Sequence, residues 1–150
     1  MQTRDQKYAA DVYKKVTEVK KNAEEVDRNR YGAMAHQLPI LIRTAGLAQA
    51  LAFLESRDTK GHKQLLIDLT ATVGKPAGTL TASARGAEMS EYMNLTRQVM
   101  AALLWYKRFA QSILDIKVSD VGRDVNQLLP AAQNQSVLDV KPSAVEDQKR

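Results

Sequence analysis

Residues 89–116 read MSEYMNLTRQVMAALLWYKRFAQSILDI, and this stretch decides the fold. Apolar side chains recur in it three and four residues apart, which is the period of an α-helix. The set is Tyr92, Leu95, Val99, Leu103, Tyr106, Ala110 and Ile113. A second apolar strip holds Ala102, Trp105 and Phe109. Because apolar side chains then surround most of the helix between Val99 and Ile113, we predict that it is the central helix and that it buries Trp105.

The N-terminal segment predicts an amphipathic surface helix over residues 4–28. Six apolar residues fall within a sector of about 80° at 100° per residue, namely Tyr8, Val12, Val16, Val19, Ala23 and Val26. The other faces carry lysines four residues before carboxylates, in the pairs Lys7 with Asp11, Lys14 with Glu18, Lys20 with Glu24 and Lys21 with Glu25. Each pair would stabilise the helix by about 0.2–0.5 kcal/mol. We expect a cap at Thr3 or Asp5 and a turn over residues 27–32.

The middle of the chain predicts shorter helices. Residues 30–44 keep helical spacing, but Pro39 has no N–H to donate and predicts a kink or a restart. Gly46 follows, and we predict that it takes a positive φ as a helix cap. Further helices are expected over residues 47–54 and 61–69. The glycines and proline at Gly74, Pro76 and Gly78 then predict a turn and a loop to about Arg85.

Strand signals are nearly absent, because no alternating β-branched run is bounded by a two-residue hairpin turn. The expected fold class is therefore all-α, a compact bundle of five or six helices in one domain over residues 1–116. Beyond Lys117 the chain is rich in Ser, Asp, Asn and Gln and contains Pro130 and Pro142. We predict a flexible tail over residues 117–150.

The composition narrows the functional classes. A chain of 150 residues with 44% hydrophobic residues forms about one globular domain. The absence of cysteine excludes a disulfide framework, a thiolate zinc site and a cysteine nucleophile. It also fits the reducing cytosol, so we expect a cytoplasmic protein. The apolar runs are far shorter than the roughly 18 residues of a membrane span, so no membrane partner is expected.

No catalytic, metal-binding or cofactor-binding pattern stands out. His36 and His62 lack the spacing of a metal-ligand pair, and we expect each to be a surface or packing residue. Gly74-Lys75-Pro76 resembles a phosphate loop, but proline stands where a Ser or Thr would hold magnesium. The sequence spacing brings no two carboxylates together for acid–base catalysis, except that Glu88 and Glu91 are neighbours at helical spacing. The carboxylates considered are Asp68, Glu88, Glu91 and Asp115. We predict a protein that is not an enzyme and takes no cofactor and no metal.

Positive charge is the remaining signal. The net charge is +5, and residues 1–116 hold 17 Lys and Arg against 12 Asp and Glu. Such an excess fits either simple solubility or a polyanionic partner. Arg97 and Arg108 share one helix face with Lys107 beside them, which is either a solvated face or a phosphate-contacting strip. Arg43 stands near a helix end, where a cation is favourable in any case. Arg28 and Arg30 lie close to Tyr31 in the chain, which is a weaker indication of phosphate contact beside a stacking ring and is also common in ordinary turns.

Three blocks of the chain carry motifs of a known family. The first is YGAMAHQLPILIRTAGLAQALAFL over residues 31–54, which contains a Leu-Pro, an Arg-x-x-Gly-Leu and an Ala-Phe-Leu. The second covers residues 62–69, and the third covers residues 92–114 and ends LLWYKRFAQSIL. In order and spacing these blocks resemble the small helical subunit of the Cmr complex, the type III-B CRISPR RNA-guided effector. Together with the basic first helix the similarity covers about residues 1–115, and the tail has no counterpart.

This resemblance implies a non-catalytic subunit of an antiviral ribonucleoprotein. It would stack with copies of itself along the backbone subunits, beside the large subunit, and contact guide or target RNA without sequence specificity. We expect the nucleic-acid contact at Arg43, Arg97, Lys107 and Arg108, none of which has an acidic partner four residues away. The alternative is a helical adaptor that binds only protein through its basic face. An enzyme with an unrecognised site is a third possibility, which turnover of RNA or nucleotide would reveal.

Overall fold

The computed structural model describes residues 1–121, and side chains as far as Ser119. This part of the chain contains six α-helices, one 3-10 helix and no strand. The helices are α1 (Arg4–Asn22), α2 (Glu25–Ala45), α3 (Leu47–Ser56), α4 (Lys60–Thr72), α5 (Leu80–Gly86) and α6 (Met89–Ser112), followed by the 3-10 helix Val118–Val121. The predicted all-α bundle is confirmed. Most of the predicted tail lies outside the described residues, and the domain boundary at residue 116 stays a prediction.

The last long helix is central, as its sequence predicts. α6 packs against α1, α2 and α4, and it buries Leu95, Val99, Ala102, Leu103, Tyr106 and Ala110. α2 runs antiparallel to it, because the Tyr31 ring lies 6.3 Å from that of Tyr106 while Gly46 lies beside Tyr92. The predicted burial of Trp105 is wrong, since this side chain is only half-buried. It lies at the seam between α6 and α1, at the edge of the core.

The boundary between the first two helices differs from the prediction. α1 begins at the Thr3 cap, where a capping box with Gln6 forms, but it ends at Asn22. Residues 27–32, predicted as a turn, are helical and belong to α2. The physical reason is burial, because Tyr31 packs into the core from the second turn of α2. Val26 is consequently half-exposed and does not continue the apolar face of α1.

Pro39 does not restart the helix. α2 continues through it to Ala45, and Pro39 is buried together with Leu38 and Ile42. A proline in a helix interior costs about 3 kcal/mol through its lost hydrogen bond and ring clash. Burial of the apolar residues on both sides offsets this cost, so the helix persists where local geometry alone predicts a break.

Gly46 separates α2 from α3 as predicted. Its φ is +91°, a conformation that residues with a Cβ rarely adopt, and its N–H donates to the carbonyl oxygen of Ile42 at 2.8 Å. The Tyr92 hydroxyl accepts a 3.0 Å hydrogen bond from the Ala48 N–H, which holds the start of α3 against α6. The glycine is therefore the hinge that joins α2 to α3.

The regions around α5 and the end of α6 correct two further predictions. The predicted loop to Arg85 contains the helix α5, because Leu80, Thr81 and Ala84 are buried. α6 ends at Ser112 rather than Ile116, and the chain folds back. Ile116 packs so closely on Gly32 that a Cβ added to this glycine would clash with the Ile116 side chain, and His36 Nε2 donates to the carbonyl oxygen of Ile116 at 2.8 Å.

Among residues 1–121, no helix is long and apolar enough to cross a membrane.

Candidate nucleic-acid interface

The outward face of α1 carries three exposed lysines, Lys7, Lys14 and Lys21, which we call the lysine stripe. They are seven residues apart, so they nearly share one direction, with about 10 Å between neighbours along the helix axis. Among the side chains described, residues 1–119, none of the three lies within ion-pair distance of a carboxylate. The stripe is therefore a row of cations open to an anionic partner.

The predicted ion pairs on α1 are wrong for two reasons. The Asp11 carboxylate points inward, to Lys15 at 2.8 Å and to the Thr72 hydroxyl at 2.7 Å. The Glu18 carboxylate accepts from the side-chain amide of Asn22 instead of pairing with Lys14.

The two pairs nearest the end of α1 fail because the helix does not continue. It ends at Asn22, and Glu24 is the N-cap residue of α2. The four-residue spacing from Lys20 to Glu24 and from Lys21 to Glu25 therefore no longer places these side chains on one helix face.

The outward face of α6 mixes arginine with apolar side chains. Arg97 and Arg108 are both exposed, within about 20° of each other around the helix and about 16 Å apart along it. Leu104 lies between them and is 46% exposed. Met93 and Met89 continue the strip at 47% and 74% exposure. No acidic residue occurs between Arg97 and Arg108 in the chain, so this strip is basic and apolar.

Three aromatic side chains, Tyr13, Trp105 and Phe109, lie where α1 meets α6, and we call them the aromatic cluster. The Tyr13 and Phe109 rings meet edge to face, with centroids 5.6 Å apart and planes at 80°. The Phe109 and Trp105 centroids are 5.7 Å apart. Tyr13 is 54% exposed, and the other two are half-buried. The cluster connects the helix of the lysine stripe to the helix of Arg108.

The structure brings only part of the predicted site together. Arg97 and Arg108 share the α6 face. Lys107 is half-buried and, one residue before Arg108, points about 100° away from it. Arg43 is exposed in the last turn of α2, at the end of the bundle opposite Arg108, because α2 and α6 are antiparallel. The role of all four residues in binding nucleic acid stays a prediction.

Arg97 has acidic residues in its surroundings that the sequence spacing does not reveal. It lines a shallow hollow with Glu88, Ser90, Glu91 and Asn94. Neither carboxylate is within ion-pair distance of it in the described structure. Arg108 has no such neighbours along α6, so we expect Arg108 to be the stronger phosphate contact of the two.

Sequence inspection missed the lysine stripe and Tyr13. The signal was the recurrence of lysine at intervals of two helical turns, with an aromatic residue directly before Lys14. Ion pairing at four-residue spacing was the competing interpretation, and it concealed this pattern. Tyr13 lies outside the apolar sector of α1, and its exposure is the clue that the structure adds.

A buried polar network lies between α1, α2, α4 and α6. Thr72 donates to Asp11 at 2.7 Å and therefore accepts from the Tyr106 hydroxyl at 2.8 Å. The Tyr31 hydroxyl and the Gln64 amide donate to the two oxygens of Asp68. Burial raises the pKa of Asp68 and raises the pKa values of Tyr31 and Tyr106 well above their usual range.

This network is internal bonding that connects four helices. Its carboxylates are held by hydroxyl, amide and ammonium donors, and Asp68 borders a cleft of about 610 Å³ between α1, α2 and α4. No group of three or more His, Cys, Asp or Glu residues suited to a metal ion occurs in the described part of the chain. His36 and His62 are both buried, as packing residues.

Comparison with known proteins gives consistent results. Residues 4–113 match the family described as CRISPR-associated protein (Cas_Cmr5). A protein of Thermus thermophilus described as CRISPR system Cmr subunit Cmr5 is 45% identical over 116 residues, which is 77% of this chain and 99% of that protein. The crystal structure of a CRISPR-associated Cmr5 family protein from the same organism superposes with a TM-score of 0.71 at 45% identity, over 76% of this chain and 99% of that one.

Proposed function

This chain belongs to the CRISPR-associated Cmr5 family, a family of Cmr subunits, and from this premise we propose that it is a non-catalytic, RNA-contacting small subunit of a type III-B effector in antiviral defence. It stacks with copies of itself along the backbone subunits in the cytoplasm, close to the large subunit. Its contacts to guide or target RNA are to phosphate and sugar, because sequence recognition in RNA-guided systems comes from base pairing.

One observation carries the RNA contact. Exposed cations without carboxylate partners among the side chains of residues 1–119 lie on the outward faces of two helices that pack against each other. They are the lysine stripe on α1 and the Arg97–Arg108 face on α6. Cations without partners are favourable for phosphate, because binding then breaks no ion pair and releases counterions. Both faces lie within the residues that match the family.

The experiment measures target-RNA binding by the reconstituted assembly over a salt series. One variant replaces the lysine stripe with glutamine. A second replaces the four predicted residues, Arg43, Arg97, Lys107 and Arg108. A matched control removes three charges elsewhere, with glutamine at Lys60, Lys63 and Lys75. Each lost phosphate contact lowers the salt slope by about 0.7 for a single strand, so the stripe variant is expected to lower it by up to about 2.

The outcomes distinguish direct contact between these cations and RNA from an effect of the net charge alone. We expect weaker binding and a shallower slope for the two test variants and little change for the control. If the control loses as much as the stripe variant, only the net charge matters. If all variants assemble and bind RNA with unchanged affinity and slope, these cations do not contact RNA.

A helical adaptor that binds only protein is the second candidate, and the α6 face favours it. Methionine and arginine are enriched in protein interfaces, and Met89, Met93 and Leu104 are exposed around Arg97. An apolar subunit contact weakens little with salt. Replacing Met93 and Leu104 with Ser would then reduce incorporation into the complex while the affinity of the assembled complex for RNA stays the same. Loss of RNA affinity without loss of incorporation would contradict the adaptor.

A further inference from the structure

The aromatic cluster gathers three of the eight aromatic side chains of the protein on one partly exposed surface. Of the other tyrosines near α1 and α6, Tyr8, Tyr31 and Tyr106 are buried in the core, and Tyr92 is half-buried with its hydroxyl bonded to the Ala48 N–H. Tyr13 is different. It is more than half-exposed, and its ring packs edge to face against Phe109. A large ring that is exposed and packed on a second aromatic ring offers an apolar surface to a partner.

Few polar groups interrupt that surface. The indole Nε1 of Trp105 donates to the exposed Asp5 carboxylate at 3.4 Å, so its single donor is occupied and one carboxylate borders the Trp105 end of the cluster. In the described structure, the Tyr13 hydroxyl makes no hydrogen bond, and Thr17 bonds only the backbone oxygen of Tyr13. The cluster therefore presents ring surface together with one free hydroxyl.

Cations flank the cluster on both helices. Lys14 and Lys15 line a shallow hollow with Tyr13, which Glu18 also borders, and Arg108 lies one helical turn from Trp105. Lys14 and Arg108 are exposed. Aromatic rings bordered by cations form the arrangement by which proteins bind single-stranded nucleic acid, with bases stacked on rings and phosphates held by the charges.

We propose that the aromatic cluster stacks on unpaired bases, so that this surface takes single-stranded RNA in preference to duplex. The inference rests on the RNA contact proposed above and specifies which form of RNA is bound. In an A-form duplex the base faces are covered by their neighbours, and only phosphate and sugar remain for contact. Duplex RNA therefore engages the lysine stripe and Arg108, whereas a single strand also gains the stacking energy.

The test uses the full chain at low salt, where non-specific affinity is highest. Trp105 is the only tryptophan, so its fluorescence reports on the cluster directly. Three RNAs of equal length are titrated: oligoadenylate, an abasic ribose-phosphate strand, and a self-complementary duplex. We expect quenching by oligoadenylate and little change with the other two. Affinities for all three RNAs are measured by the anisotropy of an end label on the RNA. Tyr13→Ala should weaken oligoadenylate binding by about 5-fold to 150-fold, the equivalent of stacking one base, and leave duplex binding within about 2-fold.

Tyr13→Phe is the matched control, because it keeps the ring and removes only the hydroxyl, and it should bind like wild type. If Tyr13→Ala binds all three RNAs normally while the stripe variant loses affinity for them, stacking is wrong and the phosphate contact stands. If wild type binds none of the RNAs at low salt, the stacking proposal is overturned, and the salt series on the reconstituted assembly decides the RNA contact separately. If Tyr13→Ala leaves RNA binding intact but reduces incorporation into the Cmr assembly, the cluster is a protein contact, and the stacking proposal is overturned.

Discussion

The Tyr31 hydroxyl donates a 2.6 Å hydrogen bond to Asp68 Oδ2, and this bond connects α2 to α4 in the interior of the bundle. Asp68 is 6% exposed, and its carboxylate also accepts from Gln64 at 2.8 Å. Burial raises the pKa of Asp68, while the hydrogen bonds from Tyr31 and Gln64 lower it. The carboxylate is thus kept in the core only because donors surround it.

Tyr31→Phe removes one of these donors, and we expect it to lower the free energy of unfolding by about 1.5–3 kcal/mol at neutral pH. The raised pKa means that folding favours the protonated form of Asp68 relative to the unfolded chain. The stabilisation that this shift contributes is complete below the unfolded-state pKa of Asp68 and is lost as the pH rises through its folded-state pKa. Because the variant raises the pKa further, its cost should shrink to about 0.5–1.5 kcal/mol in acid, where the carboxyl is neutral.

Urea unfolding of both proteins at neutral and acid pH measures this difference. Tyr13→Phe is the control, since it removes a tyrosine hydroxyl that makes no hydrogen bond in the described structure, and it should change stability by less than about 0.5 kcal/mol. A cost for Tyr31→Phe that is equal at both pH values would show that the bond to Asp68 does not depend on charge.

Gly46→Ala should destabilise the fold by about 1–3 kcal/mol, because φ is +91° at this position and an added Cβ would lie 3.3 Å from the Tyr92 hydroxyl. The measurement is thermal or urea unfolding. Gly86→Ala is the matched control, since a Cβ at the end of α5 meets nothing within 4 Å, and it should be neutral or slightly stabilising. Equal effects of the two substitutions would mean that the hinge conformation is not required.

Trp105→Ala should cost roughly 1.5–2.5 kcal/mol, below the range for a fully buried aromatic residue, because the ring is only partly buried against the core. Far-UV circular dichroism must follow the unfolding, since the substitution removes the only tryptophan. Trp105→Phe keeps a ring against Phe109 and should cost less. A loss of about 3 kcal/mol or more for Trp105→Ala would show that the ring belongs to the core.

A pair of shortened chains tests where the folded domain ends. A chain that ends at Asp115 lacks the Ile116 side chain, which packs on Gly32, and the carbonyl oxygen that His36 bonds, so it should be less stable by roughly 2–5 kcal/mol. A chain that ends at Val121 keeps both contacts and should match the full chain within about 0.5 kcal/mol. If the second chain is also strongly destabilised, residues 122–150 contribute to the fold.

The sequence by itself determined the features that depend on local periodicity and backbone chemistry. The apolar spacing of α6 predicted its central place, and Thr3 and Gly46 marked a helix start and a break through capping and positive φ. It also determined the family, because each of the three blocks that carry the resemblance is a continuous stretch of sequence. Such features are readable from neighbours in sequence because neighbours a few residues apart decide them.

The tertiary structure alone decided which side chains have partners. Pro39 remains helical because the core buries its neighbours, and Asp11 turns from Lys7 toward Thr72, a residue 61 positions away. That turn leaves Lys7 of the lysine stripe without a partner among the side chains of residues 1–119, and the packing of α1 on α6 brings Tyr13 to Phe109. Ion pairs, exposure and clusters depend on contacts between distant segments, and their energies outweigh the fraction of a kcal/mol that helical spacing offers a surface pair.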